Sequence, residues 1–132
     1  MKLENLYNTR LMVVLSKIRK NDLQSIDFDG LKIFDYKADL NDNSSSFAVI
    51  DVPDMCNHMT AYSNRSDKYY YVVFGEVCFT IEGNKLIFKE GDFCLIKQGE
   101  RFSYTNNSGN IAKLVLVHTP RFNLEDEVFI KE

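Results

Sequence analysis

Beyond residue 22 the chain is interrupted by small polar turns at intervals too short for ordinary helices. They read "FDG" at 28–30, "LNDNSSS" at 40–46, "EGN" at 82–84, "EGD" at 90–92 and "NNSGN" at 106–110. Gly, Asn, Asp and Ser recur at such points because they accept or stabilise turn conformations. The runs between them are rich in Val, Ile, Phe and Tyr, side chains that fit a pleated, half-buried surface. Strands are predicted over 31–37, 47–52, 57–63, 69–74, 77–81, 85–88, 93–97, 101–105 and 112–118. Many short strands at this spacing indicate an all-β sandwich or barrel. The clearest local unit is "VCFTIEGNKLIFK", 77–89, a hairpin turning at Glu82-Gly83-Asn84.

The opening stretch has a different period. Leu3, Leu6, Tyr7, Leu11, Val14, Leu15 and Ile18 fall at helical spacing, and Lys17, Arg19 and Lys20 sit near the C-terminal end, where cations favour the helix dipole. The expected organisation is therefore a helix over 1–22 packed on one barrel domain over 23–132, with no repeat or linker between strands. At 132 residues and 45% hydrophobic, the chain can bury one core. Its net charge of −3 gives no basic footprint for nucleic acid. The apolar run "LMVVL" at 11–15 is too short to span a membrane. Cys56, Cys78 and Cys94 form no CxxC pair, which suits buried free thiols in a reducing cytoplasm.

Between residues 56 and 106, Gly75, Gly91, Gly99 and Asn106 stand at offsets that resemble the two motifs of the cupin family. The following "LVLVHTPRF", 114–122, is similar to that family's closing strand and proline-containing exit. The resemblance implies a jelly-roll barrel, a double-stranded β-helix, over roughly residues 25–122. In that register the family's leading glycine falls on Cys56, and the first-motif histidines on Tyr62 and Asn64. Its metal-binding acid falls on Lys68, the second-motif proline on Lys97 and the second-motif histidine on Phe102. The glycines at 75, 91 and 99 are kept and the ligand positions are all changed. Transition metals want imidazole and carboxylate lone pairs; Phe102 has none and Lys68 brings a like charge. No metal and no other cofactor is therefore expected. Cys56 and His58, two apart on a strand, are an alternative pair for zinc, but His118 is the sole other histidine and a protein zinc site needs three or four ligands.

The resemblance also implies a barrel mouth lined by Tyr62, Asn64, Lys68, Phe102, His58 and Tyr104, with Arg101 and Lys97 on a neighbouring loop. Aromatic faces suit a sugar ring, and Lys68 with Arg101 suits an anionic group. Lys68 is expected to point inward and to be paired with a protein acid, hydrated, or held for an anion. Asp67 should face the other way. His118 is expected to be an ordinary packed or exposed histidine. The function this supports is metal-independent binding of a small anionic or sugar-like metabolite. The alternative is a metal-free isomerase, epimerase or lyase acting on a carbohydrate derivative, with Lys68, Tyr62 and His58 as acid and base. Tyr69 and Tyr71 on the outer sheet face point to a homodimer.

Overall fold

The computed structural model describes residues 17–36 and 43–131. The described residues form eleven strands: β1 (Ile26–Phe28), β2 (Leu31–Asp35), β3 (Ser46–Val52), β4 (Cys56–Ser63), β5 (Asp67–Phe74), β6 (Glu76–Ile81), β7 (Asn84–Lys89), β8 (Phe93–Ile96), β9 (Phe102–Asn106), β10 (Ala112–Thr119) and β11 (Glu127–Phe129). They build two antiparallel sheets, one ordered β1-β2-β3-β10-β5-β8 and the other β11-β4-β9-β6-β7. The turn spacing predicts an all-β sandwich or barrel, and the two sheets form the jelly roll that the cupin resemblance implies.

Side-chain alternation explains how the two sheets close on each other. In β10, Ala112, Leu114, Leu116 and His118 are buried, while the residues between them are half-exposed. Its neighbours follow the same parity, with Ala48, Ile50 and Val52 inward on β3 and Lys68, Tyr70 and Val72 inward on β5. The facing sheet supplies Val77, Phe79, Phe102 and Tyr104, each no more than 1% exposed. Burying a large apolar side chain contributes roughly 1.5–3 kcal/mol, so these few residues hold the barrel together. Tyr70 meets Phe79 edge-on at 5.1 Å between ring centroids.

Gly75 joins β5 to β6 at φ +83°, and a Cβ there would lie 2.6 Å from the Ala112 Cα. Both the backbone angle and the space therefore require glycine. The hairpin at Glu82-Gly83 is a two-residue loop with both residues at positive φ, and Asn84 opens β7 instead of completing the turn. Nine predicted strands lie within two residues of those observed. β1 and β11 were not predicted. Each has three residues, too few to show an alternation. The helix expected over 1–22 falls, for residues 1–16, outside the described residues. Residues 17–22 contain an exposed 3-10 turn, Lys20–Asp22, closed by an Arg19–Asp22 ion pair at 3.0 Å. No described helix is long and apolar enough to cross a membrane.

Candidate functional site

Strand parity puts a lysine inside the barrel. Lys68 is 4% exposed and lies directly opposite His118 in the β5–β10 register. From the other sheet, β11 pairs with the edge of β4, setting Glu127 opposite Ser63 with its side chain also 4% exposed. The Lys68 ammonium donates to His118 Nε2 at 2.9 Å and to Glu127 Oε1 at 2.5 Å. Phe102 and Phe122 flank it, with ring centroids 5.6 and 5.8 Å away. An ammonium buried among rings would be costly alone. The carboxylate and the imidazole offset that cost.

The electrostatics follow from this burial. Loss of water pulls the Lys68 pKa down, although Glu127 opposes the shift. Burial, and then the Lys68 charge, lower His118 to about 3. The imidazole is therefore neutral; with Nε2 accepting from Lys68, its proton sits on Nδ1. His58 is held at about 4, chiefly by burial. Its ring lies 5.0 Å from both Phe102 and Tyr104 and 5.4 Å from Phe28, while Nδ1 donates to the Met59 carbonyl at 2.6 Å. Burial also raises the Tyr104 phenol.

These groups surround a cavity of about 250 Å³ between the sheets. Its walls are largely apolar, from Ile26, Phe28, Ile33, Leu116, Phe122, Leu124 and Phe129, and its polar groups include His58, Lys68, Tyr104, His118 and Glu127. A wider depression of about 540 Å³ lies along Asn57, Thr60, Cys78, Thr80, Ser103 and Thr105. It contains no buried ion pair among the described residues, so the barrel cavity is the candidate site.

The sequence-predicted residues divide into two sets. Lys68, His58 and Tyr104 line the cavity, and Phe102 is buried in the wall beside Lys68. Tyr62, Asn64 and Arg101 do not line it. Two residues of β4, Met59 and Thr60, lie between the pairs His58–Tyr104 and Ala61–Phe102, where β9 has only Ser103. This bulge shifts the side-chain parity by one, so Ala61 and Ser63 turn inward and Tyr62 turns outward. Tyr62 instead lies under the exposed Arg101 guanidinium, 5.7 Å from its ring centroid. Asn64 is exposed after the strand, its backbone N–H donating to the Asp126 carbonyl. Asp67 faces away from the cavity, as expected, and accepts from the Gln98 N–H.

Sequence reasoning set His118 aside and did not find Glu127. His118 was detectable, because it continues the inward parity of Leu114 and Leu116. Glu127 had no local signal, being placed by a three-residue strand.

The donor set does not fit the metal centre usual in this type of barrel. His118 Nε2 and Glu127 Oε1, the lone pairs a metal would need, are directed at the Lys68 ammonium. No group of three or more His, Cys, Asp or Glu side chains is placed to hold a metal ion among the described residues. The Cys56–His58 alternative is not assembled either, since the Cys56 thiol donates to the Asp29 carbonyl at 3.0 Å and burial raises its pKa. Cys94 is pushed up to about 12, again chiefly by burial.

Comparison with known proteins places this geometry. A family model described as a cupin domain matches residues 58–118. No curated protein matches the sequence. A variant of Streptomyces PAC13 with uridine superposes with a TM-score of 0.76 at 21% identity, over 87% of this chain and 90% of that one. Pac13 itself is described as a nucleoside dehydratase. A predicted oxalate decarboxylase from Thermotoga maritima superposes with a TM-score of 0.71 at 17% identity, over 79% and 98% of the two chains. KdgF from Halomonas sp. gives 0.69 at 14% identity, over 80% and 93%. At these identities the likeness is one of fold. The chain has the cupin fold, and within it residues 58–118 match the cupin family model.

Proposed function

We propose that the barrel cavity binds one small, sugar-like metabolite without a metal. The observation that carries this reading is the buried Lys68–His118–Glu127 cluster opening on an aromatic-walled cavity of about 250 Å³. Concave sites with apolar walls and a few convergent polar groups are the usual form of small-molecule sites. PAC13 with uridine supports the ligand class, since uridine carries a sugar. Native mass spectrometry of gently purified protein tests the reading. A retained small molecule that is lost on Lys68→Met is the expected result, whereas a molecule retained equally by that variant counts against it.

One observation favours the alternative, a metal-free isomerase, epimerase or lyase acting on a carbohydrate derivative. The Lys68 ammonium is hydrogen-bonded to a neutral imidazole, which pairs a proton donor with a proton acceptor inside a cavity. Incubation of the retained ligand with the protein in D2O separates the two readings. Deuterium appearing at a ligand carbon selects chemistry, and no exchange selects binding alone.

We further propose that two copies pair through the outer face of the larger sheet, where Phe47, Tyr71 and Phe93 are more than a third exposed. Three free cysteines suit a reducing cytoplasm.

A further inference from the structure

Resting on the reading of the barrel as a binding site, we infer that its ligand meets Lys68 and Glu127 with an uncharged hydroxyl group and not with an anion. The ligand class is a single polyhydroxylated ring, either a free sugar or the sugar part of a larger molecule.

The charge balance comes first. Among the described residues lining the cavity, Lys68 is the sole Lys or Arg, and its ammonium is already bonded to Glu127. A carboxylate or phosphate entering this space would bring further negative charge beside an acid already bonded to the cation. It would also leave its own water behind among apolar walls. Both effects oppose binding.

The hydrogen-bond inventory gives the same result independently. An ammonium has three hydrogens. Two are committed to His118 and Glu127, and the third has no partner among the described residues. Glu127 Oε2 and the Tyr104 hydroxyl are buried side-chain atoms that likewise have none among those residues. The cluster thus offers a donor on Lys68 and an acceptor on the carboxylate bonded to it. A hydroxyl satisfies both, its oxygen accepting from Lys68 and its hydrogen going to Glu127 Oε2. A carboxylate has no hydrogen to give. The Tyr104 hydroxyl, which both donates and accepts, is available to a second hydroxyl on the same ring.

Size completes the argument. A cavity of about 250 Å³ falls below the roughly 300–1,000 Å³ of sites for drug-sized ligands, so one ring fits and two do not. Phe28, Phe122 and Phe129 present apolar faces against which the C–H side of a sugar can lie. A phosphate or base carried on that sugar remains outside the barrel.

The test compares matched probes on the intact protein: methyl β-D-ribofuranoside and methyl β-D-glucopyranoside, each against its uronate. Methyl-labelled NMR of Ile33, Leu116 and Leu124 reports occupancy of the cavity. The neutral member of at least one pair is expected to shift these signals and to bind about tenfold or more tightly than its uronate. Glu127→Gln and the near-isosteric Tyr104→Phe are each expected to weaken it by about tenfold, the scale of one lost buried hydrogen bond. A uronate that occupies the cavity as tightly as its neutral partner overturns this inference and leaves barrel binding intact. Failure of all four probes to shift the cavity signals overturns both. The comparison of probes uses wild-type protein, so it stands even if a variant fails to fold.

Discussion

Replacing Lys68 by Met removes the ammonium while keeping an unbranched chain of similar length. Glu127, with its side chain 4% exposed, then keeps its carboxylate in the barrel without the cation. Removing one partner of a buried pair typically costs about 3–5 kcal/mol, because the remaining charge is uncompensated. A domain of this size is stable by roughly 5–15 kcal/mol, so the variant should fold but be visibly weakened. Lys68→Met combined with Glu127→Leu removes both charges and fills the space with apolar groups. Such replacements are often neutral or stabilising by about 1–4 kcal/mol. The double variant should therefore recover most of the loss, ending about 2–4 kcal/mol more stable than Lys68→Met alone. Guanidinium unfolding followed by circular dichroism and tyrosine emission is the assay, since the chain has seven Tyr and no Trp. Additive losses, or a Lys68→Met variant as stable as wild type, would refute the buried pair. If the double variant is stable yet no longer binds ligand, the pair serves recognition and not folding.

Three further outcomes follow from the same geometry. His118 and His58 are held neutral at about 3 and about 4, below the ordinary 6.5, so over that interval the unfolded chain binds protons that the folded one does not. Stability should fall as pH drops from about 6.5 towards 4, by up to about 1.4 kcal/mol per pH unit for each histidine, and His118→Asn should flatten the slope in a pH series of unfolding curves. Protein purified without chelator should carry no stoichiometric iron, manganese, nickel or zinc by elemental analysis; a metal lost on His58→Ala would contradict the reading of the donor set. Sedimentation should give a dimer that Tyr71→Lys with Phe93→Glu converts to monomer, and a wild-type monomer at micromolar concentration would remove the proposed pairing face.

The fold was legible because its determinants are local. Turn residues mark where strands stop, and Gly75 sits where backbone angle and the approach of Ala112 leave no room for a side chain. The site was legible in part. Lys68 could be placed because the cupin register sets it where the family's metal-binding acid stands, and regular alternation along β5 keeps it inward, at the centre of the cluster. Tyr62 was assigned inward on the same logic applied to β4, where the Met59–Thr60 bulge reverses the parity. Nothing in "CNHMTAYS" announces that bulge, since bulges are set by pairing with another strand. Glu127 was invisible for a related reason. Three residues of β11 carry too little pattern, and only the pairing with β4 brings that carboxylate to Lys68 across 59 positions of sequence.

The most direct test is a crystal structure of the protein soaked with the neutral glycoside that binds best. The account predicts density for one ring inside the barrel, with hydroxyl oxygens within about 3.2 Å of Lys68 Nζ and of Glu127 Oε2. A ring bound only on the outer faces, with the cavity between Phe28 and Phe122 closed by the protein's own side chains, would contradict it.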